Sequence, residues 1–134
     1  MGEQKTIHAL ILEEDKSVVN PIKEALETRS YKVSTLSKRE EALSLLQEKQ
    51  FPLAVIGNTE GTNSEIASMK ELVKASPMTS VILLSDLTEK DVHEKTEGYG
   101  ILGHINRSVP LDGLFLLVDR FEEIFKTLAL PGTE

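Results

Sequence analysis

The chain has 134 residues, a formal net charge of −7 and no cysteine. This length suits one domain with a core of its own, and we take residues 1–134 as a single unit whose core spans about 7–128. The absence of cysteine excludes disulfide bonds and thiolate metal sites. The acidic charge argues against a domain that holds nucleic acid, because neutralising phosphates requires a basic face.

No apolar run approaches the roughly 20 residues that a membrane-spanning helix needs. The polar start over residues 1–6 is also unlike a secretion signal. We therefore expect a cytoplasmic protein without membrane contact. The hydrophobic content of 40% is typical of an ordinary folded domain and not of a disordered segment.

Apolar runs alternate with segments of helical periodicity along the chain. The runs predict five strands, at about residues 8–12, 32–36, 53–56, 81–84 and 103–106. Helical stripes follow these strands, at about residues 18–26, 42–46, 66–73, 88–97 and 110–128. Five strands that alternate with five helices predict an α/β fold with a doubly wound parallel sheet, covered by helices on both faces.

Local signals mark the beginnings of three of these helices. Pro21 lies inside the first helical pattern, so that helix either kinks there or starts late with Asn20 as its cap. The segments 37–40 and 62–65 each have the spacing of a capping box, in which a hydroxyl and a carboxylate satisfy backbone N–H groups of the first turn.

Chemistry in such sheets is expected beyond the carboxyl ends of the strands, where connecting loops meet. An acidic pair follows the first predicted strand, a glycine the third, a serine the fourth and an arginine the fifth. These candidate site residues are Glu13, Glu14, Gly57, Ser85 and Arg107.

This arrangement resembles the response-regulator receiver domains of two-component signalling, and the match runs almost without gaps from about residue 7 to 128. Receivers have flavodoxin-like (βα)5 topology and read Asp-Asp after the first strand, where this chain has Glu13-Glu14. They have a hydroxyl residue after the fourth strand, where Ser85 lies, and a lysine after the fifth, where Arg107 lies. The aromatic switch position, three residues before that lysine, is His104 here.

The departure that decides the expected function lies after the third strand. The resemblance implies a phosphoaccepting aspartate there, but Gly57 has no side chain and cannot form an acyl phosphate. The lengthened acids Glu13 and Glu14 are expected to loosen any site for Mg²⁺, an ion that needs tight octahedral geometry. We therefore predict a pseudo-receiver that is not an enzyme, with no cofactor beyond weak Mg²⁺ binding at these two acids.

Two other interpretations stay open. One is a receiver phosphorylated at a displaced acid, for which Glu60 is the nearest downstream candidate, and this would keep a phosphorelay role. The other is a flavodoxin-like domain that binds a small ligand or anion through the Gly57–Asn63 loop, since backbone N–H groups before a helix can hold phosphate. Flavodoxins, however, have such a loop after the first strand and not after the third.

The last predicted helix has an apolar arc centred on Leu114, with Phe115 at the edge of the arc and Leu116 in the polar face. The arc is predicted to contain Leu111, Leu117, Val118, Phe121, Ile124, Phe125 and Leu128. In receivers this helix and the fifth strand often form the dimer or output face. We therefore predict a partner face at His104, Phe115 and Leu116, for a signalling protein, a fused output domain or a second copy of the chain.

Overall fold

The computed structural model of the chain describes residues 6–61 and 64–129, with the backbone alone for residues 127–129. Across these residues, strands and helices alternate as the sequence predicts. In chain order the elements are β1 (Ile7–Leu12), α1 (Lys16–Thr28), β2 (Tyr31–Leu36), α2 (Arg39–Glu48), β3 (Leu53–Ile56), α3 (Glu65–Ala75), β4 (Ser80–Ser85), α4 (Glu89–Thr96), β5 (Gly103–Asn106) and α5 (Leu114–Ala129).

The strands form one parallel sheet in the order β2-β1-β3-β4-β5. This confirms the predicted doubly wound sheet with flavodoxin-like topology. The order reverses between β1 and β3, and a reversal of this kind opens a crevice at the carboxyl ends of the strands. Leu12 and Ile56, the last residues of β1 and β3, pair directly, so the residues that follow them meet at that crevice.

Helices cover both faces of the sheet and divide the core into two apolar layers. α1 and α5 pack on one face, where Leu26 and Phe121 are buried. α2, α3 and α4 pack on the other face, where Met69, Leu72 and Val92 are buried. Strands covered on both faces are expected to be apolar along their whole length, and the fully buried β3 sequence Leu-Ala-Val-Ile has this character.

α1 begins early and not at the late start that Pro21 had suggested. The helix begins at Lys16, runs through Pro21 and ends at Thr28. Its cap is Asp15, whose carboxylate accepts a hydrogen bond from the Ser17 backbone N–H at 2.9 Å. Of the two predicted alternatives, the late start with Asn20 as the cap is therefore wrong, because a good capping carboxylate lies five residues earlier.

The predicted capping box at residues 37–40 is also wrong. α2 is preceded by Lys38, whose side chain makes no capping hydrogen bond among the described residues. Ser37 uses its hydroxyl elsewhere and donates to Glu60 Oε2 at 2.6 Å. The Ser37 hydroxyl, which the local spacing had predicted to cap α2, is therefore bonded to Glu60, a residue distant in sequence.

The second predicted capping box, at residues 62–65, is described only in part, and the N-cap of α3 is Ser64. Ser64 precedes α3, and its Oγ accepts from the Ala67 N–H at 3.0 Å. Thr62, the predicted cap, lies outside the described residues. Glu65 has a different partner, which belongs to the site described below.

α5 begins at Leu114 and not at residue 110, because turns occupy residues 107–113. Gly113 has a φ of +82°, a conformation that glycine adopts readily and that interrupts a helix. Leu111 therefore precedes the helix and is exposed, and Ile124 is 45% exposed, so neither lies in the core arc as predicted. The predicted side-chain position of Leu128 lies outside the described residues.

The centre of the predicted arc is correct. The residues of α5 that face the sheet are Leu114, Leu117, Val118 and Phe121, all buried, with Phe125 packed beside them. Among the residues that the structure describes, no helix has the length and apolar character of a membrane span.

We predict that Phe121→Ala lowers the free energy of unfolding by about 3–5 kcal/mol, because its ring is buried between Tyr31 and Phe125. Leu116→Ala, on the same helix but 64% exposed, is the matched control and should cost less than about 0.5 kcal/mol. Urea unfolding of both variants measures the difference. Equal losses would mean that α5 presents a different face to the sheet.

Candidate functional site

The strand-end residues converge on Glu13, a charged residue that is buried. It follows β1, and its side chain is 0% exposed. Among the described residues, four N–H groups donate to its carboxylate. Oε1 accepts from the Asn58 N–H at 2.8 Å and from Arg107 Nη1, while Oε2 accepts from the Asp15 N–H at 2.9 Å and from Arg107 Nη2 at 2.9 Å. A carboxylate has about four lone-pair sites, so this one is fully satisfied.

Arg107 is the cationic partner of Glu13 and forms a bidentate ion pair with it. Its side chain is 13% exposed, and a more distant contact joins its Nε to Asp86 Oδ2 at 3.9 Å. The hydrogen bonds to Glu13 raise the pKa of Arg107 above its ordinary value, so the guanidinium stays protonated at any ordinary pH. A planar guanidinium suits this site because its N–H groups match both carboxylate oxygens.

The contact between Glu13 and Arg107 requires a long side chain on each side. β1 and β5 are separated by β3 and β4, and neighbouring strands are about 4.8 Å apart. Glu13 and Arg107 therefore reach towards each other over the ends of the two intervening strands. The residue at the end of β3 is Gly57 and the residue at the end of β4 is the small Ser85, so the way across is open.

Because Gly57 has no side chain, the Glu13 carboxylate can occupy the space beside it. A Cβ atom built on Gly57 would lie 2.1 Å from Glu13 Oε1 and 3.0 Å from Leu84 Cδ2. A distance of 2.1 Å is far inside van der Waals contact, so a side chain at position 57 and the observed position of Glu13 exclude each other. The carboxylate at the end of β3 thus comes from β1.

Ser85 is completely buried at the end of β4 and has its own carboxylate partner. Its Oγ donates to Glu65 Oε2 at 2.5 Å and accepts from the Leu87 N–H at 3.0 Å. These bonds tie the end of β4 to the first turn of α3. The structure therefore brings Ser85 to the predicted edge of the sheet, but pairs it with Glu65 and not with Glu13.

Glu14 is separate from this buried network. Its side chain is exposed, and its backbone N–H donates to the Asn58 carbonyl at 2.8 Å. The two acids of the predicted pair thus point to different surroundings, one into the crevice and one to solvent. They do not form a shared carboxylate site.

The Gly57–Asn63 loop is described only up to residue 61, and its first amide groups are already engaged. The Gly57 N–H donates to the Leu12 carbonyl at 2.7 Å, and the Asn58 N–H donates to Glu13. The Glu60 N–H donates to the Ser37 carbonyl at 2.8 Å. An anion bound at this loop would have to displace these acceptors.

The three residues of the predicted partner face have different surroundings. His104 is half-buried on β5 and lines a pocket of about 360 Å³ with Val92 and Thr96 of α4. Phe115 is 38% exposed, and the Arg29 guanidinium lies 5.4 Å from the centre of its ring. Of the two α5 residues, Leu116 is therefore the more accessible apolar side chain.

Arg29 is held over Phe115 by two acids of α5. It donates to Asp119 at 2.7 Å and to Glu122 at 3.0 Å, and these partners raise its pKa above the ordinary value. Glu122 also accepts from the Tyr31 hydroxyl at 2.7 Å. Phe115 thus belongs partly to the contact between α5 and the α1–β2 turn.

Solved structures resemble this chain in fold, although no protein-family model and no curated protein matches its sequence. A CheY-like response regulator receiver domain protein from Methanospirillum hungatei is 19% identical, with a TM-score of 0.76 over 92% of this chain and 99% of that chain. NtrX from Brucella abortus is 16% identical, with a TM-score of 0.78 over 93% of this chain and 29% of that chain. The chain therefore has the fold of response-regulator receiver domains.

A third similar structure bears on the chemistry of the site. It is a response regulator from Burkholderia pseudomallei with a phosphorylated aspartic acid and a calcium ion. It is 16% identical, with a TM-score of 0.71 over 94% of this chain and 75% of that chain. Identities this low establish a common fold, so the chemistry of this chain has to be argued from its own residues.

Sequence reasoning identified the residues at the strand ends but missed their pairing. The participation of Glu65 was not predicted, because its spacing suggested a capping role. The direct contact between Glu13 and Arg107 was also missed, although one signal was visible. An extra methylene at position 13 and the absence of a side chain at Gly57 are complementary changes in length, and together they allow a carboxylate to cross the crevice.

We predict that Gly57→Ala and Glu13→Ala are strongly coupled. Gly57→Ala alone should cost about 3 kcal/mol, because its Cβ drives the carboxylate out of a buried ion pair. In the Glu13→Ala background the same change should cost about 1–3 kcal/mol less. A double-mutant cycle measured by urea unfolding tests this. The control cycle pairs Gly57→Ala with Glu14→Ala, whose side chain is exposed, and should be additive; coupling of equal size in both cycles would contradict the prediction.

Proposed function

We propose that the chain is a receiver-like signalling module that works by binding another protein, without phosphorylation of an aspartate and without enzymatic activity. The observation that carries this proposal is the Glu13 carboxylate, which fills the space beside Gly57 and is saturated by four N–H donors. A receiver needs a reactive carboxylate at the end of β3, and here that place holds a buried carboxylate in an ion pair.

The same geometry supports weak or absent Mg²⁺ binding. Mg²⁺ requires about six oxygen ligands in near-octahedral positions. Glu13 has both oxygens committed to N–H groups, Gly57 supplies no side-chain oxygen, and Glu14 points to solvent. Among the described residues, no group of three or more His, Cys, Asp or Glu side chains is arranged to hold a metal ion. The residues present do not fit the ion.

The displaced-acid alternative has weaker support. An acyl phosphate needs a carboxylate that is exposed to the donor and lies close to a cation that stabilises the transferred group. Glu13 lies beside Arg107 but is buried, whereas Glu60 is exposed but hydrogen-bonded to Ser37. Neither of these two acids is therefore both exposed and close to the cation.

The small-ligand alternative is opposed by the commitment of the loop amides. Anion sites of this type depend on N–H groups that point at the ligand. The amides of residues 57, 58 and 60 donate to the Leu12 carbonyl, the Glu13 carboxylate and the Ser37 carbonyl. These engaged amides weaken the case for a ligand at this loop, so we favour a protein-binding function for the domain.

The partner is proposed to bind at α5 and the edge strand β5. Leu116 is 64% exposed, and Val109 and Leu111 in the preceding turns are also exposed apolar residues. A signalling protein, an output domain in the same polypeptide or a second copy of the chain would each fit an apolar surface of this kind. The part of NtrX that matches this chain is 29% of the NtrX chain, so in NtrX this fold lies within a longer chain.

We predict that acetyl phosphate or beryllium fluoride leaves the protein unmodified, with or without Mg²⁺, because residue 57 has no carboxylate and Glu13 is buried. Intact mass and amide NMR shifts measure the outcome. Gly57→Asp should not restore labelling by itself, since the new side chain meets the Glu13 carboxylate. A stoichiometric adduct at Glu60 or Glu14 in the unmodified chain would establish the displaced-acid function instead.

We also predict that Leu116→Asp keeps the protein folded but weakens partner capture or self-association by at least about fivefold, since a central apolar anchor contributes about 1–3 kcal/mol to such contacts. Sedimentation measures association, and thermal melting checks the fold. Asp112→Asn, at an exposed position in the turns before α5, is the control and should change neither. Phe121→Asp, at a buried core position, should lower the melting temperature strongly, and an equal loss in Leu116→Asp would show that Leu116 belongs to the core.

A further inference from the structure

We infer that the crevice at the carboxyl end of the sheet is an oxyanion-binding site whose resident ligand is the protein's own Glu13 carboxylate. The donors come from three separate segments of the chain. They are the Asp15 amide after β1, the Asn58 amide after β3 and the Arg107 guanidinium after β5. Each points at an oxygen of one carboxylate, which carries the negative charge into a place that solvent does not reach.

The site has the features of a binding pocket and not only of an ion pair. Two of the donors are backbone N–H groups of the loops that follow β1 and β3, so they are present whatever side chain occupies position 13. The room for the ligand is made by Gly57, where a Cβ atom would lie 2.1 Å from Oε1. Donors, cation and space are therefore all provided by residues other than Glu13 itself.

The ligand class follows from the donor set. Four N–H groups directed at two oxygens of one planar group suit a small carboxylate such as formate or acetate, and inorganic phosphate presents similar oxygens. In the native chain a free anion must displace a carboxylate that is tethered beside the donors. Tethering gives Glu13 a high effective concentration, so the native protein is expected to be insensitive to added anions.

This self-liganded site ties β5 to β1. Arg107 is the first residue after β5 and begins the turns that lead into α5, the helix with the proposed partner surface. With the anion supplied internally, the turn between β5 and α5 is held in one arrangement without any transferred group. This consequence for signalling rests on the proposed function, whereas the anion site itself does not.

Chemical rescue of Glu13→Ala tests the inference. This variant empties the pocket and leaves Arg107 buried without its partner, so its melting temperature should fall well below that of the unmodified protein. Sodium formate at about ten times its Kd should raise the midpoint by roughly 4–8 °C, while sodium chloride at equal concentration should not. Amide NMR signals of Asp15 and Asn58 should shift with the same formate dependence. The unmodified chain and Glu14→Ala should not respond.

The double variant Glu13→Ala/Arg107→Met removes the cation as well and should show no rescue. If Glu13→Ala alone does not fold, its refolding yield with and without formate replaces the melting temperature, again compared with the double variant. A response to phosphate in place of formate would support the same site with a tetrahedral ligand. The absence of any anion effect, or an equal effect in the double variant, would overturn the inference. No partner or phosphodonor enters this experiment, so its failure leaves the proposed function to be judged by its own tests.

Discussion

The rest of the site depends on the buried ion pair between Glu13 and Arg107. Removing two charges from water is costly, and their attraction repays the cost only when every remaining hydrogen-bonding position is filled. The backbone amides of Asp15 and Asn58 fill those positions on the carboxylate. The pair thereby constrains both loops, because a shift of either amide would leave a buried charge incompletely bonded.

The same requirement explains the glycine at the end of β3. A carboxylate that enters from β1 needs the volume in which a side chain of β3 would stand, and Gly57 leaves that volume empty. Gly57 therefore makes room for a group that comes from another strand. Under the proposed function, the carboxylate attached to the chain keeps this place occupied, whereas a transferable phosphoryl group would come and go.

The neighbouring network of Ser85 and Glu65 extends this arrangement along the edge of the sheet. A buried hydroxyl that donates at 2.5 Å to a carboxylate of α3 holds the end of β4 to that helix. Polar contacts at this edge of the sheet thus join β4 to α3 through Ser85 and Glu65, and β1 to β5 through the ion pair. The partner surface proposed on α5 starts only a few residues beyond Arg107, in the turns between β5 and α5.

The sequence alone was enough to predict the alternation of strands and helices, the parallel sheet and the lack of a side chain at position 57. It also identified the α5 residues that face the sheet, since Leu114 and Phe121 repeat with the period of a helix. These features depend on local composition and periodicity, which a single sequence displays directly.

The partners of the polar groups were decided by the tertiary structure, because a carboxylate can accept from any donor that the fold brings near. Glu13 and Arg107 are separated by 94 positions, and Ser85 and Glu65 by 20, so no local pattern could pair them. The exposure of Leu111 and Ile124 was likewise set by where α5 begins and how far the sheet extends beneath it.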